Sequence, residues 1–309
     1  MEKPTVISLL ICLNVILLIV VFRQAFDVAI DVPCSSTADS FEYQCPTFQS
    51  QSVIRSTEES LYVMYGEGNF TDTDEHLLSY IRSMTSRQGS GGRRLSTYIS
   101  NADYSQHEGC RFVDELLKRR NNGFFVECGA FGGEYLSDTL FFELKRNWTG
   151  ILIEANPEFH QQILRKNRRA LVLRGCLHPR PGLQKFSLHG WGSGVTALNR
   201  NIKGISVPET DVQCFSLNSI MAAIGVHHID FMVLDVEGSE LPVLETIDFT
   251  QLTIDVFSIE YSDGNRIRKV NKLEKIRSFF NRTGSYKEVG TLPVRAKVDD
   301  AQDVVFVRK

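Results

Sequence analysis

The stretch FFVECGAFGGEYLSD, residues 124–138, joins an apolar run to a helix-like segment through a turn that contains three glycines. Gly129, Gly132 and Gly133 fall within five positions. Glycine permits positive φ angles and lets a ligand or a second chain segment approach the backbone closely. The pattern predicts a buried strand, a tight turn and a helix. It leaves open whether the turn holds a ligand or only redirects the chain.

The sequence that follows this stretch alternates short apolar runs with amphipathic segments. Strands are predicted at GFFVECG, GILIEANP, ALVLRGCL, DFMVLDVEG and IDVFSIEY, and helices at CRFVDELLKRR, SDTLFFELKRN, FHQQILRKNRR and ELPVLETI. This alternation is typical of an α/β domain with a parallel sheet covered by helices on both faces. Only a loop separates the last two runs, YKEVG and DVVFVRK, which are predicted to pair antiparallel at one edge.

Two of the predicted strands end in an acid, Glu127 and Glu154. In open α/β sheets, ligands bind beyond the carboxyl ends of the strands. Gly129 and Glu154 are 25 residues apart, close to the spacing at which a second-strand acid reaches the hydroxyls of a ribose. The dinucleotide order G-x-G-x-x-G is absent, because Ala130 and Phe131 follow Gly129. The pattern therefore disfavours NAD and favours a nucleoside without a pyrophosphate.

The chain resembles the FkbM-type S-adenosylmethionine-dependent methyltransferases, and within them a membrane-anchored animal group that includes the protein Star. The resemblance runs from about Arg111 to Phe306, and its most specific piece is the block DVEGSE within DFMVLDVEGSELPVLE. Two departures stand out. The chain has Glu-Ala-Asn-Pro at 154–157 where the family commonly has Glu-Pro-Asn-Pro, and it has Gly132 where the related group often has Asp.

The resemblance implies a class I methyltransferase-like (Rossmann-like), seven-stranded, mostly parallel sheet and S-adenosylmethionine as the cofactor. It implies that residues 129–133 curve under the methionine portion, that Glu127 lies near its ammonium, and that Glu154 accepts from two ribose hydroxyls. Cys176 and Leu177 are expected as walls of the adenine slot, with ordinary core packing as the alternative. The expected cofactor-binding residues are Glu127, Gly129, Ala130, Phe131, Gly133, Glu154, Asn156, Cys176, Leu177 and Asp235.

Methyl transfer is an in-line displacement, so the protein contributes mainly by holding the acceptor in a dry site. An oxygen acceptor benefits from a base, and Asp235 and Glu237 follow the fourth strand, where a base is expected. The alternative is that Glu237 caps the next helix and Asp235 anchors the loop. His189, Trp191 and Thr196 either line the acceptor side or belong to a glycine-rich surface loop. No metal site is expected, and His227 and His228 are interpreted as structural residues without a partner at ligand spacing.

The run at residues 5–22 contains 18 residues and no charge, just enough for a helix to cross a bilayer. A retained anchor is favoured over a cleaved signal peptide, because no small-x-small cleavage site follows. The predicted organisation is a tail at 1–4, the anchor at 5–22, a stem at 23–105 and the methyltransferase domain at 106–309. Within the stem, DEHLLSYIRSM predicts a docking helix and SRQGSGGRR predicts a mobile loop.

Several weak signals favour a lumenal body. Cys34 and Cys45 bracket a short loop, and N-x-[ST] sequons occur at Asn69, Asn147 and Asn281, of which Asn69 and Asn281 are the expected glycosylation sites. The other cysteines (Cys12, Cys110, Cys128, Cys176 and Cys214) are interpreted as single thiols. A formal charge of −3 argues against a nucleic acid partner.

Two functions follow from these observations. The first is a membrane-anchored, S-adenosylmethionine-dependent methyltransferase that acts on a small-molecule or glycan hydroxyl. The second is a Star-like trafficking factor that escorts membrane cargo, with catalysis reduced or lost. In both cases the expected location is the endoplasmic reticulum, Golgi or endosome, as a type II single-pass protein with a lumenal C-terminal domain.

Overall fold

A computed structural model of the 309-residue chain describes residues 71–87, 91–96, 109–179, 181–188, 194–195, 208–262, 266–292 and 302–309. Several predictions fall outside these ranges: the apolar run at 5–22, Cys34 and Cys45, Asn69, most of the stem, and His189, Trp191 and Thr196. Among the helices of the described ranges, none has the length and apolar character needed to cross a membrane.

The described residues form helices and strands in alternation. The helices are α1 (Glu75–Met84), α2 (Gly109–Leu116), α3 (Leu140–Lys145), α4 (Pro157–Lys166), α5 (Leu217–Ile224), α6 (Glu240–Leu244) and α7 (Arg266–Thr283). The strands are β1 (Thr85–Ser86), β2 (Phe124–Cys128), β3 (Thr149–Glu154), β4 (Leu171–Arg174), β5 (Cys176–Leu177), β6 (Gly182–Ser187), β7 (Gly194–Val195), β8 (Glu209–Phe215), β9 (His228–Leu234), β10 (Thr253–Glu260), β11 (Tyr286–Leu292) and β12 (Asp303–Arg308).

The main sheet has the order β1-β4-β3-β2-β9-β10-β12-β11. Strands β4, β3, β2, β9 and β10 run parallel, and β12 and β11 complete the sheet in antiparallel pairs. The α/β class and the mostly parallel sheet with an antiparallel edge are therefore confirmed. The expected seven strands are present, and the two-residue β1 adds an eighth at the opposite edge.

Both faces of the main sheet are covered, as the near-continuous apolar strands require. Alternate residues of β2 enter different apolar clusters, since Val126 packs on one face and Phe125 on the other. Helices α1, α5, α6 and α7 contribute to the first cluster, and α2, α3 and α4 to the second. The chain passes from β2 to β3 and β4 on one side and then crosses to β9 on the other. The strand order therefore reverses between β2 and β9, which is where such sheets bind ligands.

A second sheet, with the order β5-β8-β6-β7, was not predicted. In it, Cys176 of β5 lies opposite Cys214 of β8, with their Cα atoms 4.4 Å apart, and the two are joined by a disulfide. The interpretation of these two cysteines as single thiols is wrong, because residues 38 positions apart in sequence become neighbours only through strand pairing. Cys110 and Cys128 are buried and form no disulfide within the described part of the chain, as expected.

The predicted stem helix is present as α1 and packs on the main body. Leu77, Leu78 and Ile81 are buried in the apolar cluster on one face of the sheet. The Asp74 side chain caps the helix by accepting from two backbone amides of its first turn, which satisfies donors that would otherwise lack partners. Asp72 accepts from Ser216, Asn218 and Ser219 at the start of α5.

Residues 91–94 of the predicted mobile loop have an irregular backbone that is hydrogen-bonded to the main body. Asn167 donates to the carbonyl oxygens of Gly91 and Gly92, and the Arg94 amide donates to the Lys166 carbonyl at 2.8 Å. Glycine content signalled flexibility, but here the backbone carbonyls are fixed by partners that lie about 75 residues further along the chain.

Helices α5 and α7 were also missed. The segment LNSIMAAI is so apolar that periodicity alone cannot distinguish a buried helix from a buried strand. In α7, the spacing of Leu273, Ile276 and Phe280 does carry a helical signal, and all three side chains are buried.

The disulfide predicts a stability that depends on redox conditions. Reducing the Cys176–Cys214 bond should lower the free energy of unfolding by about 2 to 4 kcal/mol, because the bond reduces the conformational entropy of the unfolded chain. Urea unfolding with and without reductant measures this loss. The double variant Cys176→Ala/Cys214→Ala is the control and should not respond to reductant. The same unfolding midpoint for wild type in both conditions, with two unbridged peptides on mapping, would contradict the assignment.

Candidate functional site

The carboxyl ends of β2, β3, β9 and β10 surround a cavity of about 230 Å³ at the point where the strand order reverses. Most of the predicted site residues line it: Glu127, Gly129, Ala130, Phe131, Glu154, Cys176, Leu177, Asp235 and Glu237. The structure therefore brings together residues that are up to 110 positions apart in sequence. Gly133 and Asn156 are not part of the cavity wall.

Two glycines of the turn after β2, Gly129 and Gly133, are required by chain packing. Gly129 has φ of +80°, and a Cβ atom there would overlap the backbone carbonyl oxygen of Asp235 on the neighbouring strand end. Gly133 has φ of +73°, and a Cβ atom there would lie 3.0 Å from Cγ1 of Ile163. These contacts exist without any ligand. They add a structural requirement that the interpretation of Gly129 as a ligand-approach residue did not include.

Two non-glycine residues of the same turn, Phe131 and Leu136, have positive φ angles of 47° and 63°. This conformation costs about 1 to 2 kcal/mol for a residue with a Cβ atom. Both residues line the cavity, and Phe131 also packs against Phe159 with ring centroids 4.2 Å apart. The turn thus carries backbone strain where it faces the cavity, so other contacts must hold it in place.

Arg168 supplies those contacts. Its side chain is fully buried and donates to the Gly133 carbonyl at 3.0 Å, to Ser137 Oγ at 2.9 Å and to Thr139 Oγ1 at 3.1 Å. Its Nε donates to Glu143 Oε2 at 3.0 Å. One buried guanidinium therefore fixes both the backbone and the side chains of the turn. The sequence did not reveal this role, because Arg168 lies in the run RKNRR, which is typical of a solvated surface.

Glu127 belongs to this network. Its carboxylate accepts from Ser137 Oγ at 2.9 Å, from Thr139 Oγ1 at 2.5 Å and from the Asp138 amide at 2.9 Å. Burial raises the pKa of Glu127, although Arg168 and these donors oppose the shift. Glu127 reaches the cavity wall as predicted, but its oxygens are largely engaged by the turn itself.

Glu154, at the end of β3, is buried at the cavity wall. Its Oε2 accepts from the Phe131 amide at 2.8 Å, and its Oε1 accepts from the Asn156 amide at 2.7 Å. Burial raises the pKa of Glu154 to about 7, and the backbone donors moderate that shift. Each carboxylate oxygen has a second lone pair, so Glu154 can accept from two further donors in the cavity.

Asn156 lies outside the cavity wall, whereas Leu177 lines the cavity. The Asn156 side chain caps α4 by accepting from the Glu158 amide at 2.9 Å, so its observed role is structural. Leu177 lines the cavity and is also a member of the main apolar cluster.

Asp235 and Glu260 line the cavity, and the buried Glu240 lies beside them. Carboxylate oxygens of Asp235, Glu240 and Glu260 lie within 4.8 Å of one another. Lys272 Nζ lies 2.7 Å from Glu240 and 3.6 Å from Glu260. Burial raises the pKa of Asp235 well above its usual value, and the nearby carboxylates of Glu237, Asp303 and Glu240 raise it further. The Lys272 ammonium lowers it in part.

Glu240, which was not among the predicted site residues, holds the loop after β9. Glu240 accepts from the amides of Val236 and Gly238 and so ties the loop after β9 to the start of α6. The N-cap of α6 is Ser239, which makes no side-chain capping bond. Glu237 lines the cavity with a positive φ of 52°.

His228 has partners, contrary to the expectation. Its Nε2 lies 3.1 Å from Asp255 Oδ2 at the amino ends of β9 and β10, the edge of the sheet opposite the cavity. One ligand atom from each of His228, Asp230 and Asp255 lies within 4.8 Å of the other two, a spacing that could hold a metal ion. Arg120 forms ion pairs with both acids and already balances their charge.

Comparison with known proteins agrees with this geometry. The model of the family described as "Methyltransferase FkbM domain" matches residues 127–287, more than half of the chain. This chain belongs to the FkbM methyltransferase family. A search of curated proteins found no match for it.

Solved methyltransferase structures resemble this FkbM family member at low sequence identity. The methyltransferase FkbM from Methylobacillus flagellatus is 15% identical, with a TM-score of 0.41, over 66% of this chain and 48% of that one. This chain thus spans about half of the Methylobacillus protein. A methyltransferase from Pyrococcus furiosus is 15% identical, with a TM-score of 0.35, over 76% of this chain and 97% of that one. The M. jannaschii protein TYW2, solved in complex with AdoMet, is 11% identical, with a TM-score of 0.31, over 73% and 87%.

Several cavity residues of this FkbM family member were not predicted from the sequence. Glu260 ends β10 just as Glu127 and Glu154 end or nearly end their strands, so the strand-end rule contained the signal for it. Asp303 lies opposite Glu260 because β12 runs antiparallel to β10, a register that the sequence does not give. Other lining residues that were not predicted include Leu136, Asp138, Phe159, Phe186 and Gln302.

A pair of glycine variants tests the packing role of the turn. Gly129→Ala should lower the free energy of unfolding by about 1 to 3 kcal/mol or more, because it adds positive-φ strain and an overlap with Asp235. Gly132→Ala is the matched control, since its Cβ would meet only the end of the flexible Gln162 side chain. Chemical unfolding without any ligand measures both. Equal stabilities for the two variants would contradict the packing role.

Proposed function

We propose that this FkbM-family protein transfers a methyl group from S-adenosylmethionine to a hydroxyl of a small molecule or glycan. The observation that carries the proposal is Glu154, a buried acid at the end of β3 whose two oxygens are oriented by backbone amides at the wall of the cavity. A carboxylate held in this way suits the two vicinal hydroxyls of a ribose. The membership of the chain in a methyltransferase family supports the same conclusion.

The cavity residues fit the parts of this cofactor. Glu154 would accept from the ribose hydroxyls, and Leu177 and Phe186 would provide an apolar wall for the base. The turn at residues 129–131 would bring bare backbone to the methionine portion, with Glu127 behind it. A cationic ligand would favour the ionised forms of Asp235 and Glu260, whose pKa values are raised by burial and by neighbouring carboxylates.

When bound, S-adenosylmethionine supplies an electrophilic methyl group on a sulfonium. The chain's own contribution is to bind, orient and exclude water from the acceptor. Asp235 would take the hydroxyl proton, because burial and its acidic neighbours make it a stronger base than an exposed aspartate. Glu237 is a second candidate for this role. Glu260 borders Asp235 on the next strand, and Lys272 balances part of the charge of the group.

A membrane-anchored, lumenal arrangement is also part of this proposal, and with it a place in the Star-like animal group of the family. The uncharged run at 5–22 supports an anchor. The Cys176–Cys214 disulfide supports an oxidising compartment such as the endoplasmic reticulum or Golgi lumen, because cytosolic proteins rarely keep such bonds. The sequon residues Asn147 and Asn281 are exposed, which is compatible with glycosylation.

The role of Glu154 predicts a pH-dependent affinity for S-adenosylmethionine. Ribose hydroxyls favour the charged carboxylate, so binding should lower the pKa of Glu154 from its ligand-free value of about 7. Affinity should then rise with pH up to about 7 and level off above it, with a slope of at most about tenfold per pH unit. Calorimetric titration of the protein at pH 6, 7 and 8 measures this profile.

Variants of Glu154 test the same contact. Glu154→Ala should weaken binding at pH 8 by about 1.5 to 3 kcal/mol, the range for hydrogen bonds to a charged group. Glu154→Gln should lose less and show no pH dependence. Glu158→Gln removes the same charge at an exposed position of α4, and its affinity for the cofactor should equal that of wild type. Wild-type affinity in Glu154→Ala would exclude this residue from the cofactor site. The titration also separates methyl transfer from a cargo escort, which needs no ligand in this cavity.

The topology predicts N-linked glycan on protein expressed in animal cells, at Asn69 or Asn281. Treatment with an N-glycosidase should increase its gel mobility. The double variant Asn69→Gln/Asn281→Gln is the control and should run at the deglycosylated position unless Asn147 is also used. An unshifted wild-type band, together with protease digestion of the body in intact microsomes, would place the body in the cytosol.

A further inference from the structure

The segment at residues 91–96 lies ahead of the region that matches the family model, yet it is attached to the elements that shape the cavity. It runs along the carboxyl end of α4 and the turn between β2 and α3. The contacts are Asn167 Nδ2 to the carbonyls of Gly91 and Gly92 at 2.5 and 3.1 Å, the Arg94 amide to the Lys166 carbonyl at 2.8 Å, Arg93 Nε to Glu143 Oε1 at 2.6 Å, and the Ser96 amide to Glu134 Oε1 at 2.6 Å.

The contact of Arg93 with Glu143 reaches into the protein interior. The Glu143 side chain is fully buried, whereas that of Arg93 is 29% exposed. One oxygen of Glu143 accepts from Arg93 and the other from Arg168. Burial acts to raise the pKa of Glu143, but Arg168, the Arg169 amide and Arg93 outweigh it and lower that pKa. Glu143 is therefore an ionised bridge between an inner and an outer guanidinium.

The inner guanidinium leads from Glu143 to the cavity. Arg168 holds the Gly133 carbonyl, and its hydroxyl partners Ser137 and Thr139 donate in turn to Glu127, which lines the cavity. A continuous series of hydrogen bonds thus joins Arg93 to the cavity wall, although Arg93 does not line the cavity.

A second contact acts on the same turn. Glu134 lies within it, and its two oxygens accept from the Ser96 amide and from Lys166. The Glu134 side chain is only 4% exposed, so this acid is also held inside the protein. Segment 91–96 therefore fixes the turn at two places, one through Arg93 and one through Ser96.

The balance of charge shows why Arg93 matters. Glu127 and Glu143 are both buried, and Arg168 is the one cation among the described residues that is fully buried beside them. Arg93 brings the second positive charge. Without it, two buried acids would share a single guanidinium, and a buried charge that loses its partner is strongly unfavourable. The turn could relieve that imbalance by opening and admitting water.

We propose that Arg93 is a positioning residue for the cofactor cavity and that segment 91–96 is a working part of the methyltransferase domain. Arg93 acts through Glu143 and Arg168 on the turn at residues 129–139. As far as it concerns S-adenosylmethionine, this inference rests on the proposed function. The positioning of the turn itself is independent of any ligand.

The test compares Arg93→Ala, Arg93→Lys and Arg94→Ala in the full chain. Arg94 is the matched control, because it is the adjacent residue, carries the same charge and has an exposed side chain. Amide hydrogen exchange without ligand should be faster at residues 129–139 in Arg93→Ala and unchanged in β12. Arg94→Ala should match wild type. Arg93→Lys, which keeps the charge and one donor, should restore much of the protection.

Calorimetric titration with S-adenosylmethionine adds a functional measurement. The dissociation constant should rise by about three- to thirtyfold in Arg93→Ala, the range for substitutions that act on a site indirectly, and stay at the wild-type value in Arg94→Ala. A wild-type protein that does not bind S-adenosylmethionine would overturn the proposed function. The exchange data would then still decide whether Arg93 positions the turn.

Three results would overturn the inference. The first is wild-type exchange at residues 129–139 in Arg93→Ala. The second is an equal effect of Arg94→Ala, which would show that the faster exchange follows from the loss of a surface charge and not from the contact of Arg93 with Glu143. The third is an unchanged dissociation constant in Arg93→Ala when wild type binds. If Arg93→Ala does not fold, Arg93→Gln, which keeps a side chain of similar length but loses the charge, replaces it: faster exchange confined to residues 129–139 supports the inference, and wild-type exchange contradicts it.

Discussion

The buried guanidinium of Arg168 is the interaction on which the cavity depends. A charge taken out of water is costly, and it is tolerated here because acceptors surround it in the fork geometry that arginine offers: Glu143, the Gly133 carbonyl, Ser137 and Thr139. Those partners belong to the turn after β2, where Phe131 and Leu136 adopt positive φ angles that their own preferences oppose. Arg168 therefore holds the turn in its strained conformation, and the turn supplies acceptors that allow Arg168 to be buried.

The two ends of the cavity differ in their electrostatics. At one end Glu154 stands apart from other acids and is oriented by backbone amides, which suits the recognition of neutral hydroxyl donors. At the other end Asp235 and Glu260 lie near further carboxylates and Lys272, and burial together with these acidic neighbours raises the pKa values of both acids. Under the proposed function, the first end would bind the nucleoside and the second would receive the acceptor hydroxyl. Recognition of the nucleoside and proton transfer from the acceptor would then take place at different ends of one cavity, along the same sheet edge.

Much of the frame was predictable from sequence. The apolar runs marked all seven strands expected of the main sheet, and the acids at or near strand ends, Glu127, Glu154 and Asp235, were found at the cavity because parallel strands share one carboxyl edge. Other features were not predictable. The bond between Cys176 and Cys214 depends on the pairing of β5 with β8, and Asp303 reaches the cavity only through the antiparallel register of β12 with β10. Gly129 was recognised as necessary, but the Asp235 carbonyl that requires it lies on a strand more than 100 residues later.

The sequence by itself determined the α/β class, the docking helix at Glu75–Met84 and the acids that face the cavity, because these follow from local periodicity and from the common edge of parallel strands. Only the tertiary structure decided which charges are paired. Arg93 and Arg168 both occur in runs of basic residues that are typical of a solvated surface, yet one is partly and the other fully buried, with Glu143 between them. Burial and ion pairing depend on which segments meet in space, and in this protein those segments lie 25 to 50 residues apart in sequence.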